Sequence, residues 1–476
     1  MKKYSILSLI GIQALLQLSA AAGQQPFFAP VPALAGEVHT PAISERGNIA
    51  YPLKASGNGR YLVDQNDVPF LIVGDSPQAM IGNLSVTQAA GYMENRARYG
   101  INTLWINLLC NEGTACNSDG TTFDGIAPFT TAGDLSTPNP AYFRRVDAIV
   151  NLAVARKMLV ILDPIETSGW LGVLRANGTA KARSYGVFLG NRYGRFPNII
   201  WMHGNDFQTW RDMTDAALVH AVASGIRSAA PAQLQTIELN YLASASLDDS
   251  SWRLSIDLNA AYTYYPTYAL ILHEYSRRRF LPTFLVEANY EFERNAGTDG
   301  GSLANLRRQE YWAMLSGATG QLYGSAFTWK FSSGWQSNLD TPGVRQLSLM
   351  KNLFSGRRWY DLVPDQEHET VTAGYGTFSA RGSISTDNYV TAARTPDGAL
   401  IMAYLPSPRP ITLDMARLAA KAAASWYDPT NGSYRSIEGS PFANSGRRDF
   451  IPPRQNSAGD GDWVLVLETS GVPEGR

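Results

Sequence analysis

From about Gly59 onward, short runs rich in Val, Ile, Leu and aromatic residues alternate with stretches whose apolar positions recur at helical spacing. The runs are Phe70–Gly74, Asn102–Leu108, Leu159–Asp163, Ile199–His203, Leu234–Leu239, Ile256–Ala261, Thr283–Glu287 and Leu322–Phe327. Helices are predicted over Ser85–Tyr99, which opens on a good N-cap, and over Ala141–Lys157, with apolar residues at 143, 146, 149, 150 and 153. Others are predicted over about 181–194, 212–229, 268–279, 302–316 and 342–354. Eight strands each followed by a helix specify an α/β fold of the closed (β/α)8 TIM barrel type better than an open doubly wound sheet. No glycine-rich dinucleotide fingerprint follows the first strand.

After about Arg358 the pattern changes to short alternating runs separated by turns such as Pro396-Asp-Gly398 and Pro429-Thr-Asn-Gly432. Tyr389–Ala393, Ala399–Leu405, Ala424–Tyr427 and Asp462–Leu467 are the strand candidates of a small all-β sandwich. The expected organisation is a barrel over residues 59–358, a β-sandwich over 359–476, and a Pro-, Ala- and Gly-rich linker or N-terminal wrap over 23–58. Residues 1–22 read as a signal peptide. Lys2 and Lys3 precede an apolar run to about Leu18, and Ala20-x-Ala22 supplies the small residues for cleavage. That run is short for a membrane anchor and no later segment is long and apolar enough to span, so the expected product is exported, periplasmic or extracellular, and free of the membrane once cleaved.

Composition narrows the partners. Hydrophobic residues make up 45% of the chain and charged residues 17%, a globular profile. Forty basic against forty-one acidic side chains leave a net charge of −1, so nothing in the overall field draws phosphate backbones, and nucleic acid is not an expected partner. The local cluster Arg277-Arg278-Arg279 falls at a predicted helix end, where cations complement the dipole. The two cysteines, Cys110 and Cys116, are expected to pair in an oxidising compartment and to stiffen one loop. With no histidine near them and five dispersed histidines in all, no metal site is expected, and no cofactor motif is present.

Barrel enzymes carry their chemistry at the C-terminal ends of the strands. Polar residues are dense there: Asp75 follows the first run, Asn107 ends the second, and Asp163 and Glu166 follow the third. His203, Asn205 and Asp206 close the fourth, Tyr262, Tyr264 and Tyr265 follow the sixth, Glu287 ends the seventh, and Trp329 and Lys330 follow the eighth. Glu287 terminates the apolar run Phe284-Leu-Val286, where a charge is either functional or half of a buried ion pair. Asp206 comes after Gly204, which permits a tight exit from the strand; spacing alone leaves open a catalytic role or an N-cap for a helix near Gln208.

Strands four and seven face each other across a barrel mouth, so these two acids can flank a glycosidic bond, one protonating the leaving oxygen while the other attacks the anomeric carbon. A retaining pair stands about 5 Å apart and an inverting pair about 6.5–9.5 Å. Tyr262 and Tyr264 are candidate donors to Glu287, and Asn205 to a sugar hydroxyl. Asp75, Asn107 and His203 complete the expected substrate-binding set, with Trp329 and then Trp170 as candidate stacking surfaces. Competing chemistries lack their residues: His273-Glu-Tyr-Ser-Arg277 has no second histidine for a zinc-protease helix, and neither a Gly-x-Ser-x-Gly elbow nor a P-loop is present.

The motifs Gly59-Arg-Tyr-Leu-Val-Asp64, Pro69-Phe-Leu-Ile-Val-Gly-Asp-Ser76, Ile200-Trp-Met-His-Gly-Asn-Asp206 and Pro282-Thr-Phe-Leu-Val-Glu-Ala-Asn-Tyr-Glu291 resemble those of the apiosidase-like glycoside hydrolases. Trp426-Tyr-Asp-Pro-Thr-Asn-Gly432, Phe450-Ile-Pro-Pro453 and Asp462–Leu467 match the C-terminal domain of that family, often labelled collagen-binding. The resemblance covers most of the chain. It implies a (β/α)8 barrel, hydrolysis of glycosides in plant or microbial polysaccharide, Asp206 as acid/base and Glu287 as nucleophile; the expected mechanism uses neither metal nor organic cofactor. The chain departs from the pattern at Pro77, near which many members carry Trp, and at Phe207, where an acidic or polar residue is common. The rival from another class is a non-catalytic carbohydrate-binding barrel, because folds are reused freely; two acids at strand ends argue against it.

Overall fold

The computed structural model describes residues 49–469 apart from residue 296. The segment expected to be a signal peptide, and most of the expected linker, lie outside the described residues. Each of the eight apolar runs carries a parallel strand: β1 (Ile72–Asp75), β2 (Thr103–Asn107), β3 (Leu159–Asp163), β4 (Ile199–His203), β5 (Gln235–Ile237), β6 (Asn259–Thr263), β7 (Thr283–Glu287) and β8 (Gly320–Tyr323). They pair in the order β5-β4-β3-β2-β1-β8-β7-β6. Every residue of these strands is buried, as expected where one sheet face lines a barrel and the other packs under helices. Side chains alternate accordingly. Ile72, Trp105, Ile161, Ile200, Met202, Ala260, Phe284 and Leu322 fill the lumen, whereas Leu104, Ile106, Val160 and Leu162 join the core beneath the helices.

Two expectations about the helices are corrected. Strand β5 is followed by no helix: the chain makes a short strand, Ala243–Ala245, antiparallel to β6, and then two 3₁₀ turns. The barrel is joined at this seam by side chains as well as backbone. The Ser246 hydroxyl donates to the Ile237 carbonyl of β5 (2.5 Å) and accepts from the Ala260 amide of β6 (2.8 Å). The helix expected from about 181 starts earlier and spans Thr167–Tyr193, bent at Gly178. Its early start follows from Glu166, whose carboxylate accepts from the Gly169 amide as an N-cap. Residues just before Gly59, expected as linker or N-terminal wrap, help form the barrel floor. Lys54–Ala55, Leu62–Val63 and Pro69–Phe70 make a three-stranded antiparallel sheet, and Leu53, Leu62 and Phe70 pack into the lumen cluster.

The C-terminal region forms a six-stranded and a three-stranded antiparallel sheet. The strands Leu400–Leu405 and Trp463–Thr469 show period-two sorting: Ile401, Leu405, Leu465 and Leu467 face the smaller sheet, while Met402, Tyr404, Val464 and Val466 face the barrel helices. The junction is polar as well as apolar. Arg307, on the helix Leu303–Leu315, is fully buried and binds Asp462 with both Nε and Nη2 at 2.8 Å, and Tyr404 donates to the same carboxylate at 3.1 Å. A buried guanidinium is tolerable only with its charge and donors matched, so these contacts hold the sandwich in one orientation on the barrel.

Candidate active site

The site begins where β4 ends. After His203 the backbone takes three consecutive left-handed residues, Gly204 (φ 104°), Asn205 (φ 56°) and Asp206 (φ 54°). Such conformations cost a non-glycine residue about 1–3 kcal/mol and persist where surrounding contacts impose them. Here the Gly204 carbonyl accepts from the Thr167 amide (2.6 Å) and hydroxyl (2.9 Å), and the Asp206 amide donates to Glu238 Oε2 (3.3 Å). A Cβ on Gly204 would run into the Glu238 carbonyl oxygen, so glycine is required. Asp206 caps no helix. The following helix, Met213–Ala229, is capped by Asp212, whose Oδ1 accepts from the Thr214 and Asp215 amides.

Glu287 reaches the mouth through a register irregularity. Strands β6 and β7 pair Asn259 with Thr283 and Ala260 with Phe284, and a shift at Ala261/Tyr262 then sets Tyr262 beside Glu287. In-register neighbours of a parallel pair point to the same face, so Glu287 shares the lumen side with Tyr262. Its Oε1 accepts from the Tyr264 hydroxyl (2.7 Å) and its Oε2 from the Tyr290 hydroxyl (2.9 Å). Both phenols are themselves held. Asn295 Nδ2 donates to Tyr264 Oη (2.7 Å), and Gln78 Nε2 to Tyr290 Oη (3.1 Å). Gln78 Oε1 accepts in turn from Asn205 Nδ2 (3.4 Å), so one hydrogen-bonded chain joins Glu287 to the residue before Asp206.

The mouth is crowded with carboxyl groups. Asp163 ends β3 and Glu166 follows it, Asp206 follows β4, Glu238 follows β5 and Glu287 ends β7. Burial raises all five above the ordinary carboxylate range. For Glu166 it pushes the value up to about 7, against the pull of hydrogen bonds from Ser168 and Gly169. Glu238 is raised further by the charges of Glu287 and Asp206, and Glu287 by that of Asp206. Opposing this, Tyr264 and Tyr290 favour ionised Glu287, and Tyr262 favours ionised Asp206. The two acids titrate as a pair, with their proton loss displaced upward by burial and mutual repulsion.

Of the residues singled out from the sequence, Asp206, Glu287, Asn205, Tyr262 and Tyr264 come together here. Tyr264 donates to Glu287 as expected of it, while Tyr262 stands opposite Glu287 in the strand register and opposes the rise of the Asp206 pKa. Trp329 is partly exposed beside Lys330, whose Nζ lies 5.2 Å from its ring. Asn107 is fully buried at the end of β2, and its amide group has no hydrogen-bond partner among the described residues.

Three candidates do different work. Asp75 is fully buried in an ion pair with Arg96 Nε (2.5 Å) and a bond from Tyr92 (2.5 Å), which occupies its carboxylate behind β1. His203 faces away from the mouth, bonded to Gln235 (3.1 Å) and stacked on Trp252, and burial lowers its pKa to about 3. Trp170 is buried edge-on against Phe129. Cys110 and Cys116 form a disulfide, packed against Gly82 in the loop above β2. Tyr290, Gln78, Asn295 and Glu238 were not selected from the sequence. Glu238 directly follows β5 as Glu287 ends β7, and Tyr290 lies three residues after Glu287; Gln78 and Asn295 sit in loops that carry no local signal.

Comparison with known proteins agrees with this architecture. The family model described as "Apiosidase-like, catalytic domain" matches residues 56–361, and "Putative collagen-binding domain of a collagenase" matches residues 380–468. No curated protein sequence matches the chain. Among solved structures, one named "Glycoside hydrolase" superposes with a TM-score of 0.77 at 22% identity, covering 90% of this chain and 98% of that one. A glycoside hydrolase family 5 protein from Bacteroides vulgatus gives 0.76 at 22% identity, covering 89% and 95%. At that identity these two likenesses speak to the fold, and the family model, which spans most of the chain, speaks to kinship. The chain belongs to the apiosidase-like family of glycoside hydrolases.

Proposed function

We propose that this protein is exported and cleaves glycosidic bonds in plant or microbial polysaccharide with retention of configuration, Asp206 acting as acid/base and Glu287 as nucleophile. The observation that carries the reading is the pair of phenol donors on Glu287, set across the mouth from a carboxyl group held on a strained turn. Two O–H donors favour the charge on Glu287, mutual repulsion keeps one proton on the pair, and the reaction uses that proton on Asp206. Asp206 gives that proton to the leaving oxygen as the C–O bond breaks, and a Glu287 oxygen bonds the anomeric carbon. A water then attacks that carbon, losing its proton to Asp206 as the bond to Glu287 breaks, which returns both groups to their starting states. Asn205, beside Asp206 and tied to Gln78, is placed to bond a sugar hydroxyl. Export is supported by the N-terminal sequence and by the disulfide.

The test is sugar release from a panel of plant and bacterial polysaccharides and aryl furanosides by the wild type, Glu287→Gln and Asp206→Asn. Both substitutions are expected to cost at least about 100-fold in kcat, with Asp206→Asn less impaired on an activated aryl leaving group. Full activity in either variant removes that residue from the mechanism, and a first-formed product of inverted anomeric configuration, read by proton NMR, refutes retention. Export predicts a mature chain starting near Gly23, measurable by mass on protein recovered from its host.

A further inference from the structure

The loop after β7 carries two members of the Glu287 network, Tyr290 and Asn295, and Phe292 lies between them. Its side chain is 54% exposed and its backbone is left-handed, with φ at 62°. Folding alone favours neither feature, because an exposed ring gains little from burial and a bulky residue is strained at positive φ. The flanks impose the conformation. The preceding residue, Glu291, accepts from the Tyr323 hydroxyl, from Thr341 Oγ1 (2.6 Å) and from the Gly343 amide (3.0 Å), and its backbone bridges Gly301 and Ser325. On the other side the Glu293 amide donates to the Tyr290 carbonyl (3.1 Å), and its own carbonyl accepts from Gly301 (2.9 Å). Between these fixed points the Phe292 ring is held edge-on against Phe327, centroids 5.5 Å apart at 73°, and Phe327 in turn stands two residues before Trp329 after β8.

We propose that Phe292, backed by Phe327, is a stacking platform that binds the C–H face of a pyranose ring of the substrate at the β7–β8 rim of the mouth. The proposal rests on the carbohydrate-cleaving reading of the same site. A ring carried on a held backbone and buttressed along one edge offers an apolar face to sugar C–H groups at modest entropic cost, which is the usual reason aromatics line wet binding sites.

The experiment measures Kd for soluble arabinogalactan, rhamnogalacturonan, xylan and galactomannan by native affinity electrophoresis, in the Glu287→Gln background so that the polymer survives. The parent is expected to be retarded by at least one polymer, Phe292→Ala and Phe292→Leu to bind it about tenfold more weakly, and Phe292→Tyr to bind within about twofold of the parent. Melting temperatures unchanged among the folded variants separate this loss from misfolding. Equal Kd for the parent and both ring-deleting variants overturns the platform, as does a parent retarded by none of the polymers. Sugar release by the wild type is scored apart: binding without release sinks the hydrolytic mechanism and leaves the platform standing, whereas release with unchanged binding in Phe292→Ala sinks the platform alone.

Discussion

Replacing Tyr290 with Phe removes one oxygen and nothing else, and the structure says what that oxygen does. It donates to Glu287 Oε2 at 2.9 Å and accepts from Gln78 Nε2 at 3.1 Å, in a fully buried setting. A hydrogen bond to a charged group contributes about 1.5–3 kcal/mol, and each 1.36 kcal/mol moves a pKa by about one unit. Burial already raises Glu287, and losing a donor to its ionised form raises it further, so the acidic limb of kcat/KM is expected to move about one to two units toward alkaline pH. On that limb the rate falls about 10- to 100-fold; on the alkaline plateau it falls much less. Tyr264→Phe, which removes the 2.7 Å donor on Oε1, is expected to shift the limb in the same direction.

Stability carries the same sign. The folded state holds the Glu287 proton more tightly than the unfolded chain, so its contribution is present below the ordinary carboxylate pKa and is lost as pH rises through the raised folded value. Tyr290→Phe extends that loss: beyond a pH-independent cost from the unpaired Gln78 amide, the variant is expected to lose about 1 kcal/mol more than the wild type between pH 4 and pH 9. The assay is a pH–rate profile paired with urea unfolding at the two pH values. A uniform drop in kcat/KM with an unmoved limb would refute the argument, since Tyr290 would then act on something other than the charge of Glu287.

Gly204→Ala places a methyl group against the Glu238 carbonyl at φ 104°, and neither backbone has room to yield. It is expected to destabilise the fold by about 3 kcal/mol or more and to abolish sugar release by displacing Asp206; a urea midpoint equal to the wild type's contradicts this. Glu166→Gln keeps the oxygen that caps the helix Thr167–Tyr193 but no longer titrates. With the Glu166 pKa pushed up to about 7 from an ordinary 4.5, the wild type loses up to about 3 kcal/mol as pH rises through that window. The variant's stability is therefore expected to decline less between pH 4.5 and 7, and parallel pH dependences of the two unfolding curves exclude the burial argument.

The fold was legible because burial in a parallel barrel writes itself as uniform apolar runs. Ile199–His203 and Thr283–Glu287 are fully buried strands at the residues where the runs lie. The seam after β5 was not legible, because Ala243–Ala245 and the turns that follow are chosen by contacts with Ile237 and Ala260, distant in the chain. Period-two alternation gave the sandwich strands but not their attachment. Arg307 reads as an ordinary helix-surface arginine until Asp462, from the far end of the chain, arrives beside it.

The site was legible in proportion to how locally each residue's role is decided. Glu287 stands out because a charge at the end of an apolar run is costly whatever surrounds it. Asp75 fits the same description and proved to be an ion-pair partner, because Arg96, one helix later, reaches it from the sequence's blind side. Asp206 shows the limit most clearly. Its local signals suit a helix N-cap and a catalytic acid equally well, and what sets the N-cap aside is a left-handed turn held by Thr167, at the start of the helix after β3, and by Glu238 just after β5. Both contacts come from residues distant in the chain, so the residue that sequence could rank least is the one whose backbone depends most on the assembled barrel.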